Sequence, residues 1–446
     1  MMKLYKYLID YNYVNSFNIE VLKKALVLPI KADGIYCKFF VCEESNLKLL
    51  DLSLIIEKIE LPRNKIEFFL SDFNIRLDLY NSSEKLIKQK EINPKLMEEF
   101  FNKLLNKALF CKASDLHFES LENSMVIRFR IDGELNSFYI FKKEFFKTIS
   151  SYIKMLSKLD VTKIRNPQDG RFSFVNVDFR VSTMPTIHGE SIVIRILDNL
   201  NVTDDLQSMS FSSHLIDSFE NIITLKEGLV LITGPTGSGK STTLYSLIKQ
   251  LNSEDKKIIT IEDPVEYKIE QVQQVNINED IELGFNSVLK NILRQDPDVI
   301  LIGEIRDAFS LSIALQASLT GHLVLASIHA NSSIDTISRL IDLKADRFLL
   351  ASTLKYIISQ RLVLKLCTCK SGCELCNYKG FLGRVCIAES LACDKNIKSF
   401  LMKDDFLIQI ENYLKQNNYK TILDDGLKKV QEKKTTLKEL YKVVNS

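Results

Sequence analysis

Residues 234–241 contain the chemical groups that hold a polyphosphate. The segment reads, in order, Gly234, Pro235, Thr236, Gly237, Ser238, Gly239, Lys240 and Ser241. Glycines let successive backbone N–H groups turn toward a phosphate, the lysine adds a positive charge, and Ser241 can bind Mg²⁺. An apolar run at 228–233 precedes the segment, and a helical pattern that begins at Thr242 follows it. A strand, this loop and a helix N-terminus in that order predict a site for a nucleoside triphosphate and magnesium.

Acidic residues follow two further apolar runs and supply groups that triphosphate hydrolysis needs. Residues 258–263 and 298–304 each read as a buried strand that ends in acids. Carboxyl ends of parallel strands meet at the ligand crevice of an open α/β sheet. We therefore expect Glu304 to orient or deprotonate the attacking water beside Mg²⁺ and the γ-phosphate. In the alternative interpretation, this carboxylate caps the helix that follows it.

A second acidic group lies at and just beyond the end of the 258–263 run. Its members are Glu262, Asp263 and Glu266. We expect these carboxylates to hold metal-bound water or to contact the nucleotide, because they come from a strand beside the phosphate loop. The alternative is that they cap a helix or a turn.

Two histidines flank a fourth apolar run at 321–329. They are His322 and His329. An imidazole can donate a hydrogen bond without carrying a permanent charge, so either residue could sense whether a γ-phosphate is present. The alternative interpretation is that each is a core histidine whose hydrogen bonds are satisfied by its surroundings.

Arginines alternate with apolar residues between 165 and 195. They are Arg165, Arg171, Arg180 and Arg195. On one interpretation they belong to solvated strand faces. On the other, some of them reach the γ-phosphate of a neighbouring subunit, since a guanidinium group neutralises charge that is spread over phosphate oxygens.

Four cysteines cluster late in the chain. They are Cys367, Cys369, Cys373 and Cys376. Four thiolates suit tetrahedral zinc, but the first pair is Cys-x-Cys and only three residues separate the two pairs. Zinc binding and reduced thiols in a loop therefore both remain open. The other five cysteines are scattered along the chain. The odd total of nine favours a reducing compartment over disulfides.

The hydrophobic periodicity divides the chain into segments that can position these groups. Residues 1–90 predict a small α+β docking domain or a partly flexible arm, and 95–200 predict a mixed α+β domain. Residues 205–350, which start with a linker and one helix, predict strands that alternate with helices in a parallel, doubly wound sheet. A cysteine element at 360–390 and amphipathic helices at 391–446 complete the chain, with Thr435 or Thr436 as a helix cap.

Composition and charge exclude some classes of protein. Lys and Arg number 59 against 57 Asp and Glu, so the net charge of +2 gives no overall basic footprint for nucleic acid. Lys6 and Asp10 interrupt the region where a secretory signal needs an apolar core. No window approaches the roughly 18 apolar residues of a membrane helix, so we expect membrane contact to be peripheral or through a partner.

From about residue 95 onward the chain resembles the secretion ATPase superfamily of type II secretion and type IV pilus assembly motors. The segments that carry the resemblance are 113–119, 167–171, 186–190, 234–241, 260–267, 294–307 and 320–331. The last four correspond to the family's Walker A, aspartate box, Walker B and histidine box. Their order matches that of the family.

The resemblance implies a RecA-like P-loop ATPase core, a preceding PAS-like α+β domain and a helical C-terminal region. It also implies a cytoplasmic homohexamer that hydrolyses ATP with Mg²⁺ and attaches to the inner membrane through a platform protein and a docking protein. Direct binding of nucleic acid is not expected. Family arginines that complete the ATP site support a role for some of Arg165, Arg171 and Arg180. The cysteine group resembles the zinc element of the assembly branch, with Cys-x-Cys in place of Cys-x-x-Cys.

Overall fold

The polypeptide forms two compact units. A computed structural model describes residues 7–50, 52, 54–88, 93–197, 206–277, 284–369 and 372–444. The first unit contains the described residues of 1–199 and 367–382, and the second unit contains those of 200–366 and 383–446. Among the described residues, no helix is both long enough and apolar enough to span a bilayer.

The first unit begins with a three-stranded sheet and four helices. The elements are α1 (Tyr11–Asn15), α2 (Ile19–Ala25), β1 (Val27–Asp33), β2 (Tyr36–Val41), β3 (Ile55–Glu60), α3 (Arg63–Ser71) and α4 (Phe73–Lys88). Strand β2 pairs antiparallel with β1 and parallel with β3. The rings of Phe68 and Phe138 meet at a centroid distance of 4.9 Å, so this segment shares a core with the sheet that follows.

A six-stranded antiparallel sheet forms the rest of the first unit's core. The elements are α5 (Pro94–Phe110), β4 (Ala113–Ser120), β5 (Ser124–Ile131), β6 (Glu134–Lys142), α6 (Phe145–Leu156), β7 (Gln168–Phe174), β8 (Val177–Thr186) and β9 (Gly189–Leu197). The strand order is β6-β5-β4-β9-β8-β7. Helix α5 begins with Pro94, whose fixed φ suits a first helical turn. These elements confirm the predicted α+β character of this region.

The second unit is built on a seven-stranded sheet. Its first elements are α7 (Ser213–Ile223), β10 (Gly228–Thr233), α8 (Lys240–Leu251), β11 (Ile258–Glu262), β12 (Gln273–Asn276), α9 (Phe285–Ile292), β13 (Val299–Ile302), α10 (Ala308–Leu319) and β14 (Leu323–Ile328). The later elements are α11 (Ser333–Asp342), α12 (Arg347–Thr353), β15 (Leu354–Leu366), β16 (Phe381–Ala392), α13 (Lys395–Leu401), α14 (Phe406–Gln416), α15 (Ile422–Gln431) and α16 (Leu437–Val444). The strand order is β12-β11-β13-β14-β10-β15-β16.

Strand β10 shows why the runs in this sheet are continuously apolar. Leu229 and Leu231 join the core on one face, whereas Val230 and Ile232 join the core on the other face. Because side chains alternate along a strand, a strand that is covered on both faces needs apolar residues at every position. Strand β10 pairs parallel with both β14 and β15. The architecture confirms the α/β fold class and the parallel sheet.

The nucleotide sheet extends beyond the segment 205–350 in which the sequence placed it. Strands β15 and β16 lie after residue 350, and β15 covers the open side of β10. A central strand needs a hydrogen-bonded neighbour on each side, and here the second neighbour comes from a later part of the chain. The predicted cysteine element at 360–390 is thereby reduced to the connection between these two strands.

Helices α15 and α16 pack against the end of the same sheet. Their side chains form a small core with strand residues, and its buried members are Val363, Val385, Ile387, Ile422 and Leu440. A Cβ at Gly426 would lie 2.2 Å from Leu440 Cδ1, so a larger residue would force Leu440 to move where the two helices approach each other. Thr436 accepts the N–H of Glu439 at 3.3 Å, which confirms a cap at the start of α16.

Candidate nucleotide-binding and hydrolysis site

The loop between β10 and α8 has a backbone that few residues other than glycine can adopt. The φ angles of Gly234, Gly237 and Gly239 are 149°, 78° and 92°. A Cβ at Gly234 would lie 2.4 Å from the carbonyl oxygen of Gln360 and 2.6 Å from Ser238 Oγ. The loop therefore needs glycine both for its left-handed turns and for its close approach to β15.

Lys240 is the first residue of α8, and its ammonium group folds back over the loop. Its Nζ donates to the carbonyl oxygens of Gly234 and Pro235 at 2.8 and 3.1 Å. Burial lowers the pKa of Lys240, while the charge of Glu304 opposes this shift and that of Arg361 adds to it. No carboxylate in the described part of the chain forms an ion pair with Lys240, so its charge is available to a phosphate.

Gln360 on β15 supports the loop from behind, and sequence analysis missed it. Its Nε2 donates to the carbonyl oxygen of Ser238 at 2.9 Å, and its Oε1 accepts from Thr243 Oγ1 at 3.0 Å. Its exposed fraction is 0%. No local pattern identifies it, because Gln360 stands between Ser359 and Arg361 in a strand of mixed polarity.

Glu304 lies just after β13 and is held by two neighbours. Its Oε1 is 3.2 Å from His329 Nε2, and its Oε2 accepts from Arg306 Nε at 2.9 Å. Arg306 also lies 3.5 Å from Asp263. The carboxylate, the imidazole and the guanidinium group thus form one contiguous set. Such a set can position a water and exchange a proton with it.

The second acidic group lies at and just beyond the end of β11, the strand that pairs with β13. Glu262 is 5% exposed and accepts from Thr260 Oγ1 at 2.6 Å, from Gln274 Nε2 at 3.3 Å and from the hydroxyl of Tyr245. Burial raises the pKa of Tyr245, and its bond to this carboxylate raises it further. The Tyr245 oxygen also accepts the N–H of Glu266 at 3.1 Å. Glu262 therefore holds the start of the following loop in place.

One cavity of about 1090 Å³ collects these groups. Its lining includes Thr236, Gly237, Gly239, Lys240, Ser241, Thr242, Glu262, Asp263, Glu266, Glu304, Arg306, His329 and Arg384. Ligand pockets commonly enclose about 300 to 1,000 Å³, so there is room for a nucleotide. The side chains of the site therefore fit a nucleoside triphosphate and Mg²⁺, because cations and acids line the same cavity. Arg384 was not predicted, because it lies on β16, which follows the segment 205–350 that was expected to form this domain.

His322 does not reach this cavity. Its Nδ1 lies 2.9 Å from the carbonyl oxygen of Ala317 and 3.1 Å from Thr320 Oγ1. Its own carbonyl oxygen accepts the N–H of Gly228, the first residue of β10. His322 precedes β14 whereas His329 follows it, so the parallel strand places them at opposite edges of the sheet. The expectation that His322 senses the γ-phosphate of its own chain is therefore corrected.

The candidate arginines belong to the first unit. Arg171 on β7 lies opposite Arg180 on β8, which in turn lies opposite Arg195 on β9. Arg195 Nε donates to Asp115 at 3.0 Å, but neither Arg171 nor Arg180 forms an ion pair with a carboxylate in the described ranges. Like charges that face each other across strands are destabilising, so this row favours an anion. Arg165 is exposed in the preceding loop.

The four clustered cysteines come together in space. The four sulfur atoms all lie within 4.8 Å of one another, and three of the pairs are 3.7, 3.8 and 3.9 Å apart. A tetrahedron with Zn–S bonds of about 2.3 Å has edges of about 3.8 Å. Burial alone would raise the pKa of Cys376, but hydrogen bonds from the N–H groups of Cys373 and Gly380 lower it to about 7. The donor set therefore fits zinc.

Comparison with known proteins agrees with this geometry. The model of the Type II/IV secretion system protein family matches residues 90–442. Type II secretion system protein E of Dickeya dadantii is 37% identical over 407 residues, which cover 84% of this chain and 82% of that protein. Type II secretion system ATPase E of Vibrio cholerae is 38% identical over 392 residues, which cover 81% of this chain and 77% of that protein.

Solved structures show the same fold. The pilus retraction motor PilT, crystallised with bound ADP, is 28% identical with a TM-score of 0.57, over 76% of this chain and 96% of that chain. The ATPase DotB of Legionella pneumophila is 22% identical with a TM-score of 0.64, over 80% of this chain and 97% of that chain. These likenesses confirm the RecA-like architecture of the second unit.

Proposed function

The chain belongs to the Type II/IV secretion system protein family, and from this premise we propose that it hydrolyses ATP to drive pseudopilus assembly in type II secretion. At the coarser level it is a secretion ATPase. The observation that carries the finer proposal is the single cavity in which Lys240, Ser241, Glu304 and His329 converge. The names of the relatives favour type II secretion over a type IV pilus or DNA uptake.

Each residue of the cavity has a defined task in this proposal. Lys240 and the loop N–H groups neutralise the phosphates, and the Ser241 hydroxyl supplies a ligand for Mg²⁺. Mg²⁺ held by Ser241 would offset the negative charge that develops on the phosphate oxygens. Glu304 orients the attacking water, and His329 holds Glu304 and can donate a hydrogen bond to phosphate. Glu262, Asp263 and Glu266 position the loop and the water shell at the other side.

The proposal extends to assembly and location. Arginines from the first unit of one chain complete the ATP site of a neighbour in a homohexamer, and some of Arg165, Arg171 and Arg180 serve this role. The facing pair Arg171 and Arg180, which has no carboxylate partner among the described residues, supports this role, because a phosphate would relieve the repulsion between the two charges. The hexamer works at the cytoplasmic side of the inner membrane, where a platform protein and a docking protein hold it.

Turnover by the purified full chain tests the proposal against its alternatives. We expect saturable phosphate release from ATP that needs Mg²⁺ and increases when the chain assembles. A chain that binds ATP but releases no phosphate when assembled would instead be a nucleotide-binding scaffold. A DNA translocase would bind DNA with a steep salt dependence, and the net charge of +2 argues against that outcome.

We propose that the cysteine cluster binds one zinc ion per chain. The thiolates of Cys367, Cys369, Cys373 and Cys376 would be the ligands. Metal analysis of purified protein should find about one zinc per chain, and Cys373→Ser should lose most of it because a tetrahedral site needs all its ligands. Cys42→Ser is the matched control, since Cys42 is a half-buried cysteine outside the cluster. A ratio near zero in the unmodified protein would reject zinc.

A further inference from the structure

Glu389 on β16 is a buried carboxylate that joins two helices. It is 5% exposed. One oxygen accepts the N–H of Ser333 at 2.6 Å, and the other accepts the N–H of Ile422 at 3.1 Å. Ser333 begins α11 and Ile422 begins α15, so a single side chain accepts the first N–H of both helices, while Ser332 and Thr421 cap the N–H groups further along each first turn. Burial raises the pKa of Glu389, and the hydrogen bonds from these two N–H groups oppose that shift.

The first of these helices continues directly from the end of the hydrolysis site. His329, which contacts Glu304, is followed by a loop at 330–332 that leads into α11. Thr233 Oγ1, just before the phosphate loop, donates to the carbonyl oxygen of Ala330 at 3.2 Å. Arg361 Nη2 donates to the carbonyl oxygen of Asn331 at 2.8 Å. These two hydrogen bonds hold the short segment that connects His329 to Ser333.

The second helix belongs to the C-terminal pair. Helix α15 packs against α16 at the close approach of Gly426 and Leu440. A cavity of about 560 Å³ adjoins the junction, and Asn331, Arg361, Glu389 and Ile422 are among its lining residues. Glu389 thus contacts both helices beside open space, and the Tyr419 hydroxyl, just before α15, also donates to Ser333 Oγ at 3.4 Å. Open space beside a tight contact allows the helix to shift without a steric clash.

We propose that Glu389 is a positioning residue that transmits the nucleotide state sensed at His329 to helices α15 and α16. The proposal rests on the nucleotide site described above, but it does not require hydrolysis, because binding alone changes what His329 contacts. It adds a function for the C-terminal helices, which the motifs of the ATP site leave without one. These helices become an output of the nucleotide site.

A second buried carboxylate on α15 offers a matched control. Asp425 is 2% exposed. It accepts the hydroxyl of Ser212, and it accepts the N–H of Ala388 at 2.9 Å. It anchors the same helix to the same sheet without touching the loop at 330–332 or Ser333. Loss of this anchor should loosen α15 but leave its connection to the nucleotide intact.

Hydrogen exchange of the full chain, with and without ADP or a non-hydrolysable ATP analogue, tests the proposal. In the unmodified protein, the amides of 421–431 should exchange at a rate that depends on the nucleotide. Glu389→Gln keeps the shape but replaces one acceptor oxygen with an NH₂ group, so one helix N–H loses its partner. This variant should lose the nucleotide dependence of exchange in 421–431. Asp425→Asn should raise exchange in 421–431 while keeping the nucleotide dependence.

A second variant reaches the same contact from the other side. Ile422→Pro removes the N–H that Glu389 accepts, and proline suits a first helical position after the extended Thr421, whose ψ is 167°. It should also uncouple 421–431 from the nucleotide. Three results would overturn the proposal. The nucleotide dependence could persist in both variants, it could be lost equally in Asp425→Asn, or it could be absent from the unmodified protein. Absence of phosphate release would count against the motor function alone.

Discussion

Glu304→Gln should lower the rate of ATP hydrolysis by about 10²- to 10⁴-fold, the range typical of a lost general base, while affinity for ADP changes little. The amide keeps an oxygen for Arg306 but cannot take a proton from water. ADP affinity should persist because the phosphate loop and Lys240 do not depend on this side chain. Phosphate release and ADP titration on the same preparation measure the two quantities.

Asp298→Asn is the control for Glu304→Gln. Asp298 precedes the same strand, β13, and accepts the N–H of Lys257 at 2.7 Å at the opposite edge of the sheet. We expect its turnover to remain close to that of the unmodified protein. If the unmodified protein hydrolyses ATP no faster than Glu304→Gln under assembly conditions, the assignment of Glu304 is wrong and the scaffold interpretation gains support.

The double variant Arg171→Ala with Arg180→Ala should lower turnover by about 10³-fold or more, as loss of an arginine finger does. Nucleotide affinity should stay nearly constant, since such an arginine stabilises charge that develops in the transition state. Arg165→Ala, measured alongside, assigns the third candidate. Arg128→Ala is the control, because Arg128 lies in the same sheet and is already paired with Glu119.

A mixing experiment separates action on a neighbour from action within one chain. The arginine variant retains Glu304, and the Glu304→Gln variant retains both arginines. In a mixed assembly, an intact arginine pair from one chain meets an intact Glu304 of the next, so part of the lost turnover should return. No recovery in the mixture would argue against a site shared between subunits, and full turnover in the arginine variant would remove the finger assignment.

Local patterns explain why the core of the site was predictable. A glycine-rich loop between an apolar strand and a helix has a restricted backbone, and that restriction is visible in residues 234–241 alone. An acid that follows an apolar run is predicted at the ligand edge of a parallel sheet, and this prediction does not depend on the order of the strands. Glu304 lies at this edge as predicted, and so does His329, which also follows an apolar run. His322 was misplaced because it is close to His329 in sequence but lies at the opposite end of β14, so that the length of the strand separates the two side chains.

The residues that were missed come from distant parts of the chain. Gln360 lies 122 positions from Ser238, whose carbonyl it binds, and Arg384 is later still. Glu389 joins Ser333 and Ile422, which are 56 and 33 positions away. No periodicity links such partners, because their contact depends on β15 and β16 entering the sheet beside β10. The predicted boundary at 350 separated them from the site that they support.

By itself, the sequence determined the phosphate loop, the alternation of strands and helices and the spacing of four thiols, since each depends on steric and hydrophobic preferences of neighbouring residues. Only the tertiary structure decided which strand lies behind the loop, which histidine faces Glu304, and which carboxylate connects the loop after His329 to the C-terminal helices. Strand order arises from the packing of segments more than 100 residues apart, and a linear pattern does not encode that packing directly.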